Sequence, residues 1–148
     1  MLRVTKLTDY ATIALAELAM AGDVRLSAAE LAERAGLEAP TVAKVLKPLA
    51  HAGILEGQRG AGGGYRLARA ARDVLLIDIV EALEGPLAMT ECIDDHGNCD
   101  IQHACGLRAN WRRINDIVAD ALRAVTLAQL AGLDAAPRKP IALQLATA

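Results

Sequence analysis

All three cysteines of the chain lie within one short segment, residues 91–106, whose sequence is ECIDDHGNCDIQHACG. Six residues separate Cys92 from Cys99 and five separate Cys99 from Cys105, which is wider than the roughly two-to-four-residue spacing usual in zinc sites. Three soft thiolates on a glycine-containing loop suit an iron-sulfur cluster, because its irons accept ligands from a loop that wraps around them. The segment is therefore predicted to bind a two-iron or four-iron cluster.

Two other interpretations of the cysteines stay open. Free cysteines often serve only as small buried hydrophobic side chains, although here acidic, amide and histidine side chains stand between them. The second alternative is zinc, with His96 or His103 as a fourth ligand beside the thiolates.

Charge divides the chain into two blocks that suit different partners. Residues 25–72 carry eight Lys/Arg and four Asp/Glu, whereas residues 73–105 carry no Lys/Arg and eight Asp/Glu. The basic block suits a nucleic acid, and acidic residues around cysteines suit a cation. The 148 residues are enough for one domain, whose core must be aliphatic because the sequence has no Phe and only 2% aromatic residues.

Several classes of protein are not expected from this sequence. No segment is long and apolar enough to span a membrane, and Asp9 and Glu17 make the first apolar run an amphipathic helix rather than a signal peptide. An odd number of cysteines without an export signal indicates a reduced, cytoplasmic setting rather than a disulfide framework. No catalytic triad or cofactor fingerprint occurs, so an enzyme is not expected.

The elements that must carry the loop begin with two helices. Apolar periodicity predicts a first helix from Thr8 to about Met20. Ser27 and Glu30 form a capping box that starts a second, short helix, and Gly36 ends it.

A third helix and a hairpin follow. Pro40 suits the first turn of a helix, inside which Pro48 is expected to kink or shorten the last turn. Two strands, at about 54–57 and 65–68, flank a glycine-rich tip. Helix, turn, helix and hairpin is the order of a winged helix-turn-helix, which commonly binds DNA. The alternative is a small helical module that contacts other proteins.

The second half of the chain predicts a connecting helix, the cysteine loop and a final long helix from about Leu107 to Ala131. The long helix carries an apolar stripe formed by Trp111, Ile114, Val118, Leu122 and Val125. A helix of that extent is about 37 Å long, more than a domain this small can cover. A second copy of the chain is therefore expected to cover the stripe, and the alternative is that the stripe packs into the monomer's own core.

These elements predict a mainly α fold with a small two-stranded wing and a long dimerisation helix. The predicted segments are a winged helix-turn-helix DNA-binding domain at 1–73, a connecting helix and linker at 74–90, the cluster-binding loop at 91–106, the dimerisation helix at 107–132 and a loose tail at 133–148.

Three stretches together resemble the iron-sulfur cluster-sensing winged-helix regulators of the IscR, NsrR and RirA type. They are KLTDYATIALAELA at the start, QRGAGGGYRLA in the wing, and the three cysteines just before a helix containing NWRRIND. The resemblance covers nearly the whole chain and is greatest to regulators of the SUF cluster-assembly operon. It implies a homodimer crossed by its long helices, a double-stranded DNA operator read by the winged domain, and a cluster on the cysteine loop.

Five residues are predicted to contact DNA. The second helix of the turn motif carries Thr41, Lys44 and Lys47, and the two lysines share one face because they are three residues apart. Arg59 and Arg66 flank the wing tip. The resemblance implies that the helix lies in the major groove and that Arg59 enters the adjacent minor groove.

Three cysteines leave at least one position of the cluster open for a fourth ligand. In relatives such as IscR a histidine lies three residues after the last cysteine, but here Arg108 stands there and has no lone pair to give. The remaining candidates are Asp9 and the loop residues His103, Asp94, Asp95 and His96. Asp9 is preferred, because it lies in a TDY that resembles NsrR, where this carboxylate reaches a four-iron cluster from the partner subunit. Its other interpretation is an acidic residue favoured at a helix N-terminus.

The predicted function is that of a dimeric, cytoplasmic transcription repressor that senses iron-sulfur cluster status and controls genes for cluster assembly. The alternatives are a zinc-based or thiol-based redox regulator and an iron-sulfur carrier that does not bind DNA.

Overall fold

The computed structural model of the chain describes residues 4–94, 97, 99–101 and 104–134. Over these residues it forms a mainly helical fold with one two-stranded sheet, and this confirms the predicted fold class. The elements are α1 (Lys6–Ala21), α2 (Ala28–Ala35), α3 (Ala39–His51), β1 (Leu55–Gln58), β2 (Gly64–Leu67), a 3₁₀ turn (Ala71–Asp73), α4 (Leu76–Glu84), α5 (Arg108–Arg123) and α6 (Leu127–Leu130).

Local sequence signals set the ends of the first two helices. Thr5 caps α1 by accepting a hydrogen bond from the Thr8 N–H. The capping box before α2 is present as predicted, since the Ser27 N–H donates to the Glu30 carboxylate at 2.8 Å and the Glu30 N–H donates to the Ser27 hydroxyl at 3.2 Å. Gly36, with φ of 64°, ends α2 in the left-handed conformation.

Pro48 does not shorten α3, and in this respect the prediction is wrong. The helix continues to His51 and ends in a glycine turn, where Gly53 has φ of 69° and the Ile54 N–H donates to the Leu49 carbonyl at 3.0 Å. A proline removes one hydrogen bond from a helix. Fully buried apolar side chains on both sides of Pro48 hold α3 against α1 and α2, so packing offsets that loss.

The core of the molecule is aliphatic and lies between α1, α2, α3 and the elements that close over them. Its fully buried large apolar side chains are Leu15, Leu18, Leu31, Val42, Val45, Leu46, Leu49, Ile54, Val74, Ile79 and Leu127. Leu127 belongs to α6, so the segment after α5 returns to the core of the winged domain. None of the helices in the described part of the chain is long and apolar enough to cross a membrane.

The wing is an antiparallel hairpin, with strands within about one residue of the predicted bounds. β1 pairs with β2 in a register that places Leu55 opposite Leu67. The hairpin is joined to the turn between α1 and α2 because Leu26 and Tyr65 exchange backbone hydrogen bonds of 3.0 and 2.8 Å. A side chain at Gly64 would come within 2.7 Å of the Leu26 backbone, so this close approach requires a glycine.

The predicted single helix from Leu107 to Ala131 is wrong in its last third. α5 ends at Arg123, which makes it about 24 Å long. The chain then leaves the helix, and the Thr126 hydroxyl accepts a hydrogen bond from the Gln129 N–H to begin α6.

The break has a tertiary cause. Residues 125–127 pair with the segment just before α4 through two backbone hydrogen bonds of 2.8 Å, from the Leu76 N–H to the Val125 carbonyl and from the Leu127 N–H to the Val74 carbonyl. This pairing buries Leu127 completely. An apolar periodicity alone cannot distinguish a helix that continues from one that stops to make such a bridge.

Candidate functional site

The three cysteines are free thiols on the segment between α4 and α5. Cys92 is buried, whereas Cys99 and Cys105 are half-buried. The Thr90 hydroxyl lies 3.2 Å from the Cys92 sulfur. Among the residues that the structure describes, no three His, Cys, Asp or Glu side chains are close enough together to hold a metal ion. The candidate ligands Asp95, His96 and His103 lie outside those residues.

Two side chains of α5 bind the backbone of this segment. The Arg108 Nε donates a hydrogen bond of 3.0 Å to the Cys92 carbonyl. Asn115, which is buried, accepts a 3.1 Å hydrogen bond from the Met89 N–H. Neither contact was predicted from the sequence. The only sequence signal for Asn115 was its position as a polar residue between the apolar residues Ile114 and Val118.

The donor chemistry of the segment fits an iron-sulfur cluster. Soft thiolates are the ligands that such clusters prefer, and the structure pairs none of the three in a disulfide. A cavity of about 490 Å³ adjoins Cys105, and its other lining residues are Gly106, Arg108, Ala109, Arg112, Arg113 and Asp116. Three arginines and one aspartate line this cavity beside Cys105, so its wall carries net positive charge, which favours a negatively charged occupant.

Asp9 lies in the first turn of α1, and its side chain is exposed. The start of α1 is fixed by Glu84 at the end of α4. The Glu84 carboxylate accepts hydrogen bonds from the buried Thr8 hydroxyl at 2.5 Å and from the Thr5 N–H at 3.1 Å. The hydrogen bond from Thr8, followed by that from Thr5, lowers the pKa of Glu84 below its usual value.

Within one chain, Asp9 borders a cavity that none of the described cysteines lines. Asp9 lines a cavity of about 400 Å³ together with Leu76, Val80 and Leu122. Leu122 lies near the C-terminal end of α5, about 21 Å along the helix from Arg108, which contacts Cys92. The described residues therefore do not bring Asp9 to the cysteines of its own chain.

The candidate DNA-contacting residues occupy the outer side of α3 and the wing tip. Lys44 and Lys47 are exposed and Thr41 is half-buried, because the opposite side of α3 packs into the core. Arg59 is exposed between the two strands. In the part of the chain that the structure describes, none of these three cations takes part in an ion pair.

Arg66 differs from the other candidates, because it is engaged at the base of the wing. Its guanidinium pairs with the Glu56 carboxylate, which also binds Arg25 at 2.7 Å. The hydrogen bond from Arg66, with the positive charges of both arginines, lowers the pKa of Glu56. The prediction from sequence missed Arg25, whose only signal was its place in the basic block.

The apolar stripe predicted for α5 is only partly covered by its own chain, because Val118, Leu122 and Val125 are half-buried. Trp111, Ile114 and Ile117 are 37%, 40% and 40% exposed, whereas Asn115 and Ala119 are the buried residues of the helix. The alternative that the whole stripe packs into the monomer's core is therefore wrong for Trp111 and Ile114. α5 therefore presents the apolar side chains Trp111, Ile114 and Ile117 to the outside.

Comparisons with known proteins agree with this architecture. The sequence profile of a family named Rrf2, described as iron-dependent transcriptional regulator, matches residues 4–132. The HTH-type transcriptional repressor NsrR of Streptomyces coelicolor is 36% identical over 146 residues, which cover 97% of this chain and 96% of the relative.

Two solved structures have the same fold. CymR, the global cysteine regulator of B. subtilis, is 30% identical with a TM-score of 0.70 over 90% of this chain and 99% of its own. T. potens IscR is 30% identical with a TM-score of 0.63, and the match covers 87% of this chain and 85% of its own.

The family matches confirm the resemblance that the sequence indicated. The relatives are transcriptional regulators, in agreement with the prediction that this chain is not an enzyme. The exposed cations of α3 and the wing are accordingly part of a DNA-binding regulator. Because the profile covers most of its length, the chain belongs to the Rrf2 family of iron-dependent transcriptional regulators.

Proposed function

We propose that the chain is a homodimeric transcription repressor that senses iron-sulfur cluster status in the cytoplasm and controls cluster-assembly genes, as regulators of the SUF operon do. The observation that carries the proposal is the set of three free cysteines on one loop bonded to α5. Similarity to NsrR and IscR supports the same conclusion.

Cys92, Cys99 and Cys105 are the proposed ligands from the loop. When bound, the cluster supplies a redox-active and labile iron centre whose change or loss is the signal. Asp9 of the second subunit is the proposed fourth ligand, since within one chain the described residues do not group Asp9 with the cysteines. In a two-fold dimer whose α5 helices cross antiparallel, the Asp9 end of one subunit approaches the cysteine end of the other.

The contacts of Glu84 suggest how the loop influences the DNA-binding domain. Glu84 is the last residue of α4, and the cysteine segment begins a few residues later. Its carboxylate also holds the start of α1, next to Asp9. A rearrangement of the loop therefore acts on α1 from two directions, through α4 and through Asp9, and shifts the winged domains relative to each other.

Dimerisation is proposed to occur through α5. Trp111, Ile114 and Ile117 are apolar, exposed and on one helix, and such a surface favours burial against a second copy. The dimer sets two winged domains on DNA half-sites one helical turn or a multiple apart. α3, with Thr41, Lys44 and Lys47, is proposed to enter the major groove, and Arg59 the minor groove.

A thiol-based redox regulator is the second candidate function. It is favoured by the similarity to CymR, a global cysteine regulator, and by the three free thiols of the loop. In that case the cysteines respond to oxidation directly, and no iron is needed. The carrier that does not bind DNA disagrees with membership of a family of transcriptional regulators.

One experiment separates the two candidates. The protein is purified without oxygen, its iron, sulfide and zinc are measured, and the loaded and metal-free forms are titrated with a palindromic DNA duplex at several salt concentrations. Cluster sensing predicts iron and sulfide in comparable amounts and an affinity that differs between the two forms, with the salt dependence of phosphate contacts. Protein without iron whose DNA affinity responds only to thiol oxidation would instead support the thiol regulator, and zinc alone would support a zinc site.

The fourth ligand is tested by Asp9→Ala, with His103→Ala as the matched variant. Asp9→Ala is expected to alter the visible spectrum and the stability of the cluster and to loosen its control of DNA binding, whereas His103→Ala has a much milder effect. A wild-type spectrum and DNA response in Asp9→Ala, together with cluster loss in His103→Ala, would assign the role to the loop histidine.

A further inference from the structure

We propose that Arg108 is the positioning residue of the cysteine loop: it fixes Cys92 and Cys105 at the start of α5 and supplies the positive charge that faces the bound cluster. The inference rests on the proposed cluster-sensing function. It gives a role to the residue that replaces the histidine of IscR-like sequences.

Arg108 bonds to the loop backbone at two cysteines. The Arg108 Nε donates to the Cys92 carbonyl at 3.0 Å, and its backbone N–H donates to the Cys105 carbonyl at 3.4 Å. One residue thus bonds to the backbone of two cysteines that are thirteen positions apart in the sequence. Both bonds come from the first residue of α5, so the loop is joined to the proposed dimerisation helix at its two ends.

The second support is charge. None of the ion pairs among the described residues uses Arg108, and residues 73–105 contain no Lys or Arg. A cluster held by thiolates carries net negative charge, and the charges and hydrogen bonds around it set its stability. The Arg108 guanidinium is the first Lys or Arg charge after the acidic segment, and it binds the Cys92 carbonyl and shares a cavity with Cys105.

The guanidinium performs two tasks that substitutions can separate. Arginine is a planar donor of fixed geometry, whereas lysine is a point charge on a flexible stem. Arg108→Lys retains the charge and loses the Nε bond, and Arg108→Gln loses both. Arg112→Gln is the matched control, because Arg112 lines the same cavity one helical turn later but makes no hydrogen bond to a cysteine within the described part of the chain.

The first arm of the test uses the metal-free protein and hydrogen exchange measured by mass spectrometry. The Ile93 N–H donates to the Thr90 carbonyl at 3.0 Å, so its exchange reports on opening of the turn that carries Cys92. Loss of a charge-assisted hydrogen bond is expected to speed this exchange by about tenfold in Arg108→Gln and in Arg108→Lys. Arg112→Gln is expected to exchange at the wild-type rate.

The second arm uses the reconstituted protein and follows loss of the visible absorbance to an iron chelator. Arg108→Gln is expected to lose the cluster about 10-fold to 100-fold faster than wild type, the usual effect of removing an outer partner of a metal ligand. Arg108→Lys is expected to lose the cluster at a rate between those of wild type and Arg108→Gln, because lysine keeps the positive charge but not the Nε hydrogen bond. If Arg108 acted only through its hydrogen bond, Arg108→Lys would lose the cluster as fast as Arg108→Gln.

The outcomes distinguish this inference from the proposed function. Equal exchange and equal cluster loss in Arg108→Gln and Arg112→Gln would overturn the role of Arg108. A wild-type protein that assembles no cluster would overturn cluster sensing, while the exchange arm would still decide whether Arg108 positions the loop.

Discussion

The winged domain and the cysteine loop are held together by different forces. The winged domain has an aliphatic core with fully buried leucines and isoleucines, capped helices and a paired hairpin. In the loop Cys92 is buried, whereas Ile101 is 65% exposed, and Leu107 just after the loop is 59% exposed. In the described residues, the loop is attached to α5 by hydrogen bonds: the Arg108 Nε donates to the Cys92 carbonyl, and the Asn115 side chain accepts from the Met89 N–H just before the loop.

This difference indicates which part of the molecule can respond to a signal. Buried apolar area stabilises the winged domain whether or not a cluster is bound. A segment with little buried area depends on a ligand or partner for its shape, and such segments open at low free-energy cost. A well-packed winged domain beside a loop with little buried area is the arrangement that the proposed sensor requires.

The largest expected effect comes from the thiols. Replacing any one of Cys92, Cys99 or Cys105 with Ser is expected to abolish or severely bleach the visible thiolate-to-iron absorbance, since each loss leaves an iron undercoordinated. The far-ultraviolet circular dichroism is expected to stay that of wild type, because the core lies elsewhere. A variant with full iron content and an intact spectrum would show that its cysteine is not a ligand.

The next largest effect tests the independence of the winged domain. Leu46→Ala removes a fully buried side chain of α3 and is expected to lower the free energy of unfolding by about 2–5 kcal/mol. Urea unfolding of the metal-free protein measures the change. Ala43→Ser on the exposed side of the same helix is the control, with an effect within about 0.5 kcal/mol. An equal decrease in the free energy of unfolding in both variants would mean that the buried Leu46 side chain does not stabilise this domain.

A smaller effect tests whether the wing acts apart from the loop. Arg59→Ala is expected to weaken operator binding by about 1–3 kcal/mol without altering the cluster spectrum. Arg69→Ala is the matched control, because Arg69 is a cation of the same domain but pairs with Asp78 at 2.5 Å. Footprinting titrations compare the two. An unchanged affinity in Arg59→Ala would contradict the predicted minor-groove contact.

The smallest effect concerns the link between the two regions. The pKa of Glu84 is lowered in the folded state. The Glu84 carboxylate therefore contributes its full stabilisation above the unfolded pKa of about 4.5. This stabilisation is lost as the pH falls through the lower pKa of the folded state. Because Glu84 is exposed to solvent, this contribution is about 0.5–1 kcal/mol.

Urea unfolding between about pH 3 and pH 7 checks this contribution. Glu84→Gln is expected to flatten the acid-side dependence of stability, and Thr8→Ser, which retains the hydroxyl that donates to Glu84, is expected to preserve it. The same slope in Glu84→Gln as in wild type would show that the bonds to α1 add nothing to stability.

The sequence alone predicted the elements whose signals are local. The capping box of Ser27 and Glu30, the stop at Gly36 and the hairpin around the glycine tip lie where the residues indicated. These features depend on neighbours within a few positions, so the chain specifies them wherever it lies in the fold. The grouping of the three cysteines on one loop was equally visible in the sequence.

Tertiary structure alone decided the features that join distant parts of the chain. The end of α5 at Arg123 depends on pairing with the segment before α4, and Glu84 binds the start of α1 nearly eighty positions away. The hydrogen bond from Arg108 to the Cys92 carbonyl and the ion pairs of Glu56 with Arg25 and Arg66 also join residues that are far apart in the sequence. Periodicity and capping rules describe a helix against its own neighbours in sequence. They carry no information on which distant carbonyl or carboxylate a side chain meets, because that depends on how the packed core orients the elements.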